Sequence, residues 1–545
     1  MKKTLSLISV LALLLCACSE IADVAGTKKA ATHSEAEPLP NIVLVMVDDM
    51  GFSDISPYGS EIATPNLDKL AEEGMVFNQF RNTSKCFPSR ATLMTGQYAQ
   101  RVGMSTKPEA TFENYASLGD VLRTAGYETL MVGKHHALDN PYDMGFDHYW
   151  GMRDGAANHF NPGYQREGEA FPAQKRQNQR TFCFDAKCEK PYTPDSMDYY
   201  TTDTFTDWAL ELLGRHEAES DEQPFFIYVS YTAPHDPIQA WPEDIAKYEG
   251  KYDEGYEAIA MARYQRQLEL GIINADTHPR SEAMFRSWDE LSLEQKVDEA
   301  RVMAVYGAMV DSIDQNIGRL LQYLEDTGEA DNTLIMFLSD NGASAEEVDV
   351  GDGEIGTIDR WASVGGHWAN VSNVPFKSYK NSSFEGGVES PFIVRWPGVV
   401  PAGGAVNETS AHLVDIMATL VDVTGATYPD NLRGETVGGM DGISLLPAFS
   451  NGTVERGKPV FFEWRNGRAV VDGHWKLLVH KARPQDEESG LWDFSTGEWE
   501  LYDLSKDRTE TNNLAVSDPG KLAKMQQKFE QWWAEVEPGI VQTDE

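Results

Sequence analysis

Basic residues are scarce in this chain. Its 545 residues include 46 Lys and Arg against 86 Asp and Glu, a formal net charge of -40. With no basic excess to neutralise phosphates, the composition argues against nucleic acid as a partner, and equally against adsorption to an anionic membrane surface. A sulfated polyanion would also be repelled at long range. Screening confines that repulsion to about 8–10 Å at moderate salt, so a local cluster of bases in a pocket can still win. Cysteine is scarce too, with only five residues. Two of them, Cys183 and Cys188, have no further Cys or His close by in sequence, which excludes a zinc site there. Apolar runs are short: Leu5 to Leu15 is too short to span a bilayer, and nothing after it is long enough. No repeat of solenoid length is visible. What remains is a globular composition, 41% hydrophobic and 10% aromatic, in a chain long enough for one large core and a second, smaller one.

The N-terminus reads as an export signal. Lys2-Lys3 precede the apolar run, and Leu15-Cys16-Ala17-Cys18 follows it. That tetrapeptide resembles the lipobox of bacterial lipoproteins, which implies a signal peptide over 1–17 and lipidation of Cys18; the alternative is an ordinary signal peptide cut nearby. Ser19 resembles the outer-membrane form of the sorting rule, implying a lipid-anchored protein of the outer membrane, periplasmic or surface-facing. Residues 18–39 are polar and alanine-rich, without helical period, and read as a tether. Cys183 and Cys188, five positions apart, either close a small loop as a disulfide in an exported protein or remain free thiols. Cys86 is left over.

Residues 40–452 alternate strand and helix signals. Apolar runs at Asn41–Val47, Glu128–Val132, Phe225–Val229, Thr333–Leu338 and Pro391–Trp396 read as strands. Thr64-Pro65 opens a helix that Gly74 stops, and further helices are expected over Ser117–Ala125, Thr204–Leu213, Glu299–Leu324 and His412–Val423. Residues 150–200 are rich in Gly, Pro and aromatics, without period, and read as a long ordered excursion. The fold class is α/β: a large, mostly parallel central sheet sandwiched by helices. After about 452 the texture changes to three antiparallel strands (Val460–Trp464, Arg468–Val471, Trp475–Val479) and an amphipathic helix, Lys521–Trp533. This predicts a smaller α+β domain over 453–545.

Four predicted strands end in polar groups: Asp48-Asp49, Lys134 with His136, His235, and Asp340-Asn341. In open α/β sheets ligands sit beyond the carboxyl ends of the strands, so these segments suggest one site. Asp48, Asp49, Asp340 and Asn341 offer the hard oxygen donors that suit Ca2+ or Mg2+. Cys86-Phe87-Pro88-Ser89-Arg90 leads into a helix closed by Gly96. A thiol there meets the positive end of the helix dipole, with Arg90 one turn on; it is a reactive group or a buried structural cysteine.

The Cys-x-Pro-Ser-Arg pattern resembles the signature of the type I sulfatases, in the alkaline phosphatase superfamily. Asp48 to Phe52, Thr64 to Asp68, Gly133 to His136, Ala233 to Pro237, Ser339 to Gly342 and Lys380 to Gly387 resemble further family segments in family order, and residues 358–371 resemble its bacterial arylsulfatase branch. The resemblance implies conversion of Cys86 to formylglycine by a maturation enzyme, and hydrolysis of a sulfate monoester, aryl or carbohydrate, through the aldehyde hydrate as nucleophile. It implies a divalent ion, Ca2+ or Mg2+, on Asp48, Asp49, Asp340 and Asn341. Arg90, Lys134 and Lys380 would hold the transferring group, His235 with Lys380 would assist the departing oxygen, and His136 would act as base. His135 stands where the family usually has tryptophan, which bears on local packing. The alternatives are a phosphoester or phosphonate monoester hydrolase of the same superfamily, and a non-catalytic glycan-binding lipoprotein.

Overall fold

The apolar run that begins at Asn41 becomes β1 (Asn41–Asp48), buried along its whole length in the middle of a ten-stranded sheet. The computed structural model describes residues 38–175, 179–220, 223–281, 283–450, 452–464, 467–480 and 498–536. The signal segment 1–17, Cys18 and the tether up to residue 37 lie outside the described residues.

The sheet's other strands are β2 (Met75–Phe77), β3 (Glu128–Gly133), β4 (His148–Met152), β5 (Phe182–Phe184), β6 (Lys187–Glu189), β7 (Phe225–Pro234), β8 (Thr333–Ser339), β9 (Phe392–Arg395) and β10 (Ala405–Asn407). Their spatial order is β10-β2-β9-β8-β1-β7-β3-β4-β5-β6. The run β8-β1-β7-β3-β4 is parallel, with Val45 opposite Val229 on one side and Phe337 on the other. β9 is antiparallel to both its neighbours.

A strand buried on both faces must be apolar throughout, and β1 shows the consequence. Val43, Val45 and Val47 enter one core with side chains of α1 (Pro65–Glu72), α4 (Thr201–Ser220), α5 (Tyr256–Leu270) and α6 (Leu293–Thr327). Ile42, Leu44 and Met46 enter the other with α2 (Cys86–Thr95), α3 (Leu118–Arg123) and α7 (Asp415–Thr424). The sheet is thus a sandwich filling. α6 is the longest helix, 35 residues, opened by a capping box between Ser292 and Gln295.

The sequence reading did not anticipate the short strands β2, β4 and β10, and three further regions differ from it. The 150–200 excursion contains β5 and β6, a hairpin at the sheet edge whose facing residues Cys183 and Cys188 are disulfide-bonded; strands of three residues are too short to show a period. α5 was not expected, because it buries only a narrow stripe, Tyr256, Ala260, Arg263, Tyr264 and Gln267, that includes polar residues. The smaller C-terminal domain holds β11 (Val460–Trp464), β12 (Gly467–Asp472), β13 (Trp475–Val479) and an unexpected fourth strand, β14 (Glu500–Asp503), in one antiparallel sheet. Half of β14 is acidic, which hides it from an apolar count. α8 (Pro519–Val536) covers this sheet with Met525, Phe529 and Trp532 against Val470, Leu477 and Leu501.

A buried ionic cluster ties the two sheets together. Glu385 accepts from Arg81 at 2.7 Å and from Lys476 of β13 at 2.6 Å; Arg508 binds Glu389 at 2.6 Å, and Glu510 faces Lys476 at 2.8 Å. All six side chains are at most 5% exposed.

Candidate active site

The strands that carry polar ends, β8, β1, β7 and β3, are neighbours in that order and all run parallel. Adjacent strands lie about 4.8 Å apart, so their C-terminal residues are delivered side by side. Asp48 ends β1, with Asp49 next. Lys134, His135 and His136 follow β3, His235 follows β7, and Asp340-Asn341 follow β8. The chain turns sharply after two of these strands, at Asp49 (φ 68°) and His136 (φ 69°), and in the loops beside Cys86 and Lys380, at Ser84 (φ 61°) and Asn381 (φ 72°), all in left-handed backbone conformations. Such positions cost about 1–3 kcal/mol each and persist where the surroundings over-determine them.

The side chains interlock. Lys134 Nζ donates to Asp48 Oδ2. Lys380 Nζ lies 2.6 Å from Asp49 Oδ1, and the Asn341 amide donates to the same oxygen at 2.6 Å. Arg90 Nε donates to Asp340 Oδ2 at 2.8 Å, and its Nη1 donates to the Lys134 carbonyl at 3.1 Å and to Ser230 Oγ. His235 Nε2 is 3.5 Å from Asp49 Oδ2, while its Nδ1 is 2.7 Å from Asp236 Oδ1. Asp236 is fixed in turn by the Trp361 indole at 3.0 Å and Ser363 Oγ at 2.6 Å. Cys86 is the first residue of α2, buried 1% exposed, with the helix closed at Gly96 (φ 67°). Among the described residues it is the free cysteine. Lys377 takes no part in this cluster; it donates to the Glu510 carbonyl at 2.7 Å.

Electrostatics follow from this packing. Burial pushes the Cys86 thiol up, but Lys380, Lys134 and Lys85 outweigh it and hold it below the usual thiol range. Burial and then the Asp48 charge push the Asp340 carboxyl up to about 8. Burial and the Lys134 ammonium drive the His136 imidazole well down, so it is neutral. Burial lowers His235, but Asp49 outweighs it and lifts the imidazole to about 9.

The donor set fits a divalent ion. Asp48, Asp49 and His235 present ligand atoms within 4.8 Å of one another. Asp48 Oδ1 and Asn341 Oδ1 are buried with no hydrogen-bond partner, an arrangement that protein interiors avoid unless something else binds there. The mutual repulsion of Asp48 and Asp340 is what a hard cation would relieve. Sequence reasoning did not single out Asp236 or Ser230 as members of the site. Asp236 could have been found, because it follows His235 directly; Ser230 could not, because it lies inside an apolar strand. His135 stands apart: its ring stacks on Phe112 at 5.9 Å in the core below the sheet, not in the site.

A mostly parallel sheet with acids and bases at its strand ends and a buried thiol among three cations defines an enzyme site for an anionic substrate. The chain belongs to the sulfatase family of the alkaline phosphatase superfamily: the sulfatase family model matches residues 40–426, and that of the N-sulphoglucosamine sulphohydrolase C-terminal region matches 379–537. It is 33% identical over 443 residues to an arylsulfatase of Klebsiella aerogenes, covering 76% of this chain and 92% of that protein. It is 28% identical over 442 residues to an N-acetylgalactosamine-6-sulfatase of Canis lupus familiaris, covering 78% of this chain and 68% of that one. The solved structure of Ps i-CgsB in complex with k-i-k-neocarrahexaose matches with a TM-score of 0.63 and 25% identity over 91% of this chain and 92% of that one. The chain is therefore a sulfatase, an enzyme that hydrolyses sulfate esters.

Proposed function

We propose that this sulfatase cleaves a sulfate monoester of a carbohydrate or aryl alcohol at the Cys86 site, as an exported, lipid-anchored protein. The single observation that carries the reading is the convergence of Cys86 with Arg90, Lys134 and Lys380 beside a carboxylate group that retains orphaned oxygens. Bound at Asp48, Asp49, Asp340 and Asn341, with His235 alongside, a divalent ion such as Ca2+ would neutralise a sulfate oxygen as a Lewis acid. Formylglycine at position 86, installed by a maturation enzyme, would supply a hydrated aldehyde in place of the thiol as nucleophile.

The chain's own residues do the rest. Arg90, Lys134 and Lys380 are already held by carboxylates, so they meet the charge of the transferring group without rearranging. His235 is oriented by its Nδ1 donating to the Asp236 carbonyl at 2.7 Å, with the Asp236 carboxylate alongside held by Trp361 and Ser363, and gives its proton to the leaving oxygen. His136 Nδ1 is buried with no partner and accepts a proton. The relatives and the carrageenan-type oligosaccharide of the solved complex support a sulfated glycan as the natural substrate class. Cys18 is the proposed lipid site, and the outer membrane the proposed location.

Mass spectrometry of the peptide spanning Cys86, from protein made in its native host, tests the reading. Formylglycine appears as a loss of about 18 Da against the thiol; an intact cysteine in an active preparation overturns the nucleophile assignment. Turnover of the sulfate and phosphate esters of one phenol then separates the two hydrolase readings, with the sulfate expected to be preferred.

A further inference from the structure

Arg90, Lys134 and Lys380 each have a carboxylate partner: Asp340 at 2.8 Å, Asp48, and Asp49 at 2.6 Å. Lys85 does not. It immediately precedes Cys86, caps the start of α2 with an extended backbone (φ -147°), and is half-buried. Its ammonium lies 5.9 Å from the centroid of the Trp464 ring, which reaches over from β11, and Trp464 packs edge-on against Phe87 at 5.2 Å. Among the described residues no carboxylate or hydrogen-bond acceptor engages that ammonium. Among the carboxylates Lys85 feels Glu346 most, but Glu346 is bound by Lys175. Lys175, Lys380, His235 and Lys85 thus share one carboxylate at the edge of the site, in a protein of net charge -40.

A half-buried ammonium without a counter-ion is unusual, because burial disfavours the charge unless an anion offsets it. Here burial, and next the Lys380 charge, lower the proton affinity of Lys85 below the ordinary lysine range. Arriving negative charge would restore it. The position says where such charge comes from. The Lys85 ammonium and the Cys86 side chain feel each other's charge, so an anion on Lys85 adjoins a group held at Cys86.

We propose that Lys85 is a specificity-determining residue that binds a second anionic group, a sulfate or a carboxylate, carried by the same substrate as the scissile ester. This rests on the sulfate-ester reading above and narrows it to polyanionic glycans: a disulfated sugar, or a sulfated sugar bearing or adjoining a uronate. The Lys175–Glu346 pair keeps the nearby carboxylate occupied, so that Lys85 stays available.

The test compares 4-nitrophenyl sulfate with its 3-carboxylated analogue in the full-length, calcium-loaded chain. Binding is measured by calorimetry in the Cys86→Ser background, so that neither conversion nor turnover enters. The dianion is expected to bind about tenfold more tightly, about 1.4 kcal/mol. Lys85→Met abolishes that preference, Lys85→Arg retains it, and Lys85→Glu inverts it. In the Cys86 protein, the ratio of kcat/KM for the two esters shifts in parallel, mostly through KM. An unchanged ratio in Lys85→Met overturns the proposal, as does failure of both esters to bind, or a Lys85→Met effect confined to the formylglycine fraction. Loss of turnover with the binding preference intact would instead strike the catalytic reading and leave Lys85 standing. Thermal unfolding of each variant identifies misfolding, and Lys85→Arg then carries the comparison.

Discussion

Two buried ionic clusters lie in this molecule, similar in composition and opposite in finish. The one between the sheets joins Arg81, Lys476 and Arg508 to Glu385, Glu389 and Glu510, and each carboxylate has a cation within 2.8 Å. The one at the strand ends joins Arg90, Lys134 and Lys380 to Asp48, Asp49 and Asp340, again three against three. Charge balance therefore does not tell a structural cluster from a catalytic one. The nature and convergence of the unsatisfied atoms do: the strand-end cluster leaves two acceptors, Asp48 Oδ1 and Asn341 Oδ1, buried without partners beside a group whose ligand atoms lie within 4.8 Å of one another, whereas the orphans between the sheets are one acceptor and one donor, Glu510 Oε1 and Arg508 Nε, which no cation would satisfy together. Left-handed backbone occurs in both, at Asp49 and His136 in one and at Glu510 in the other. A cluster whose free acceptors converge on one point has been kept for a ligand, whereas the other fastens two layers.

The sharpest way to break this contrast is one substitution in each cluster. Asp340→Asn keeps the shape, mimics the carboxyl that burial and the Asp48 charge already push up to about 8, and removes a metal-facing charge. We expect kcat/KM to fall on the order of 10²–10³-fold, with the thermal midpoint of the apo protein unchanged or raised, since a crowded carboxylate is gone. Lys476→Met leaves Glu385 and Glu510 short of a counter-ion in a dry site. Removing one partner of a buried pair costs about 3–5 kcal/mol, so the thermal midpoint falls while kcat per folded molecule is retained. If Asp340→Asn unfolds the protein, or Lys476→Met silences it without destabilising it, the distinction between the clusters is wrong.

A weaker pull is expected at the sheet edge. The Cys183–Cys188 bond closes a loop five residues long between β5 and β6, far in sheet order from β1. Loop-closure entropy for so short a ring amounts to about 2 kcal/mol. Cys183→Ser with Cys188→Ser should lower the thermal midpoint without altering KM for an aryl sulfate; a raised KM would show that the 150–200 excursion transmits its order to the site.

Much of the strand-end cluster was legible in the sequence, and almost none of the other. Asp48-Asp49, His235 and Asp340-Asn341 each follow an apolar run, and a parallel sheet delivers such ends to one edge. The period of the strands therefore announces the site even though its parts are nearly 300 residues apart. Cys86 and Gly96 bracket a helix by local rules. The inter-sheet cluster joins Arg81 to Glu385 and Lys476, single charges in strands and turns with no periodic mark, and only tertiary packing pairs them. Lys85 was invisible for the opposite reason. Its meaning lies in the partner it lacks, and that appears only once Glu346 is seen to be engaged by Lys175.

His135 allows the finest test, because it separates burial from function at a position next to Lys134. The ring is 3% exposed, stacks on Phe112, and leaves Nε2 without a hydrogen-bond partner. Burial, and then the Arg153 charge, depress its pKa from 6.5 to about 3. Between those values the unfolded chain binds a proton that the folded one refuses. Its contribution is therefore absent above pH 6.5 and stability drains away as the pH falls toward 3, by about 1.4 kcal/mol per unit. Phenylalanine fills a similar volume with no nitrogen to satisfy. His135→Phe should leave the thermal midpoint at pH 7.5 within a few degrees of the parent and make its decline between pH 6.5 and 5 visibly shallower. The decline should not vanish, because His278, His367 and His412 are depressed by burial in the same direction. If instead the acid limb is unchanged while kcat collapses at pH 7.5, His135 belongs to the catalytic cluster after all, and the line drawn between the site and the core beneath it has to be moved.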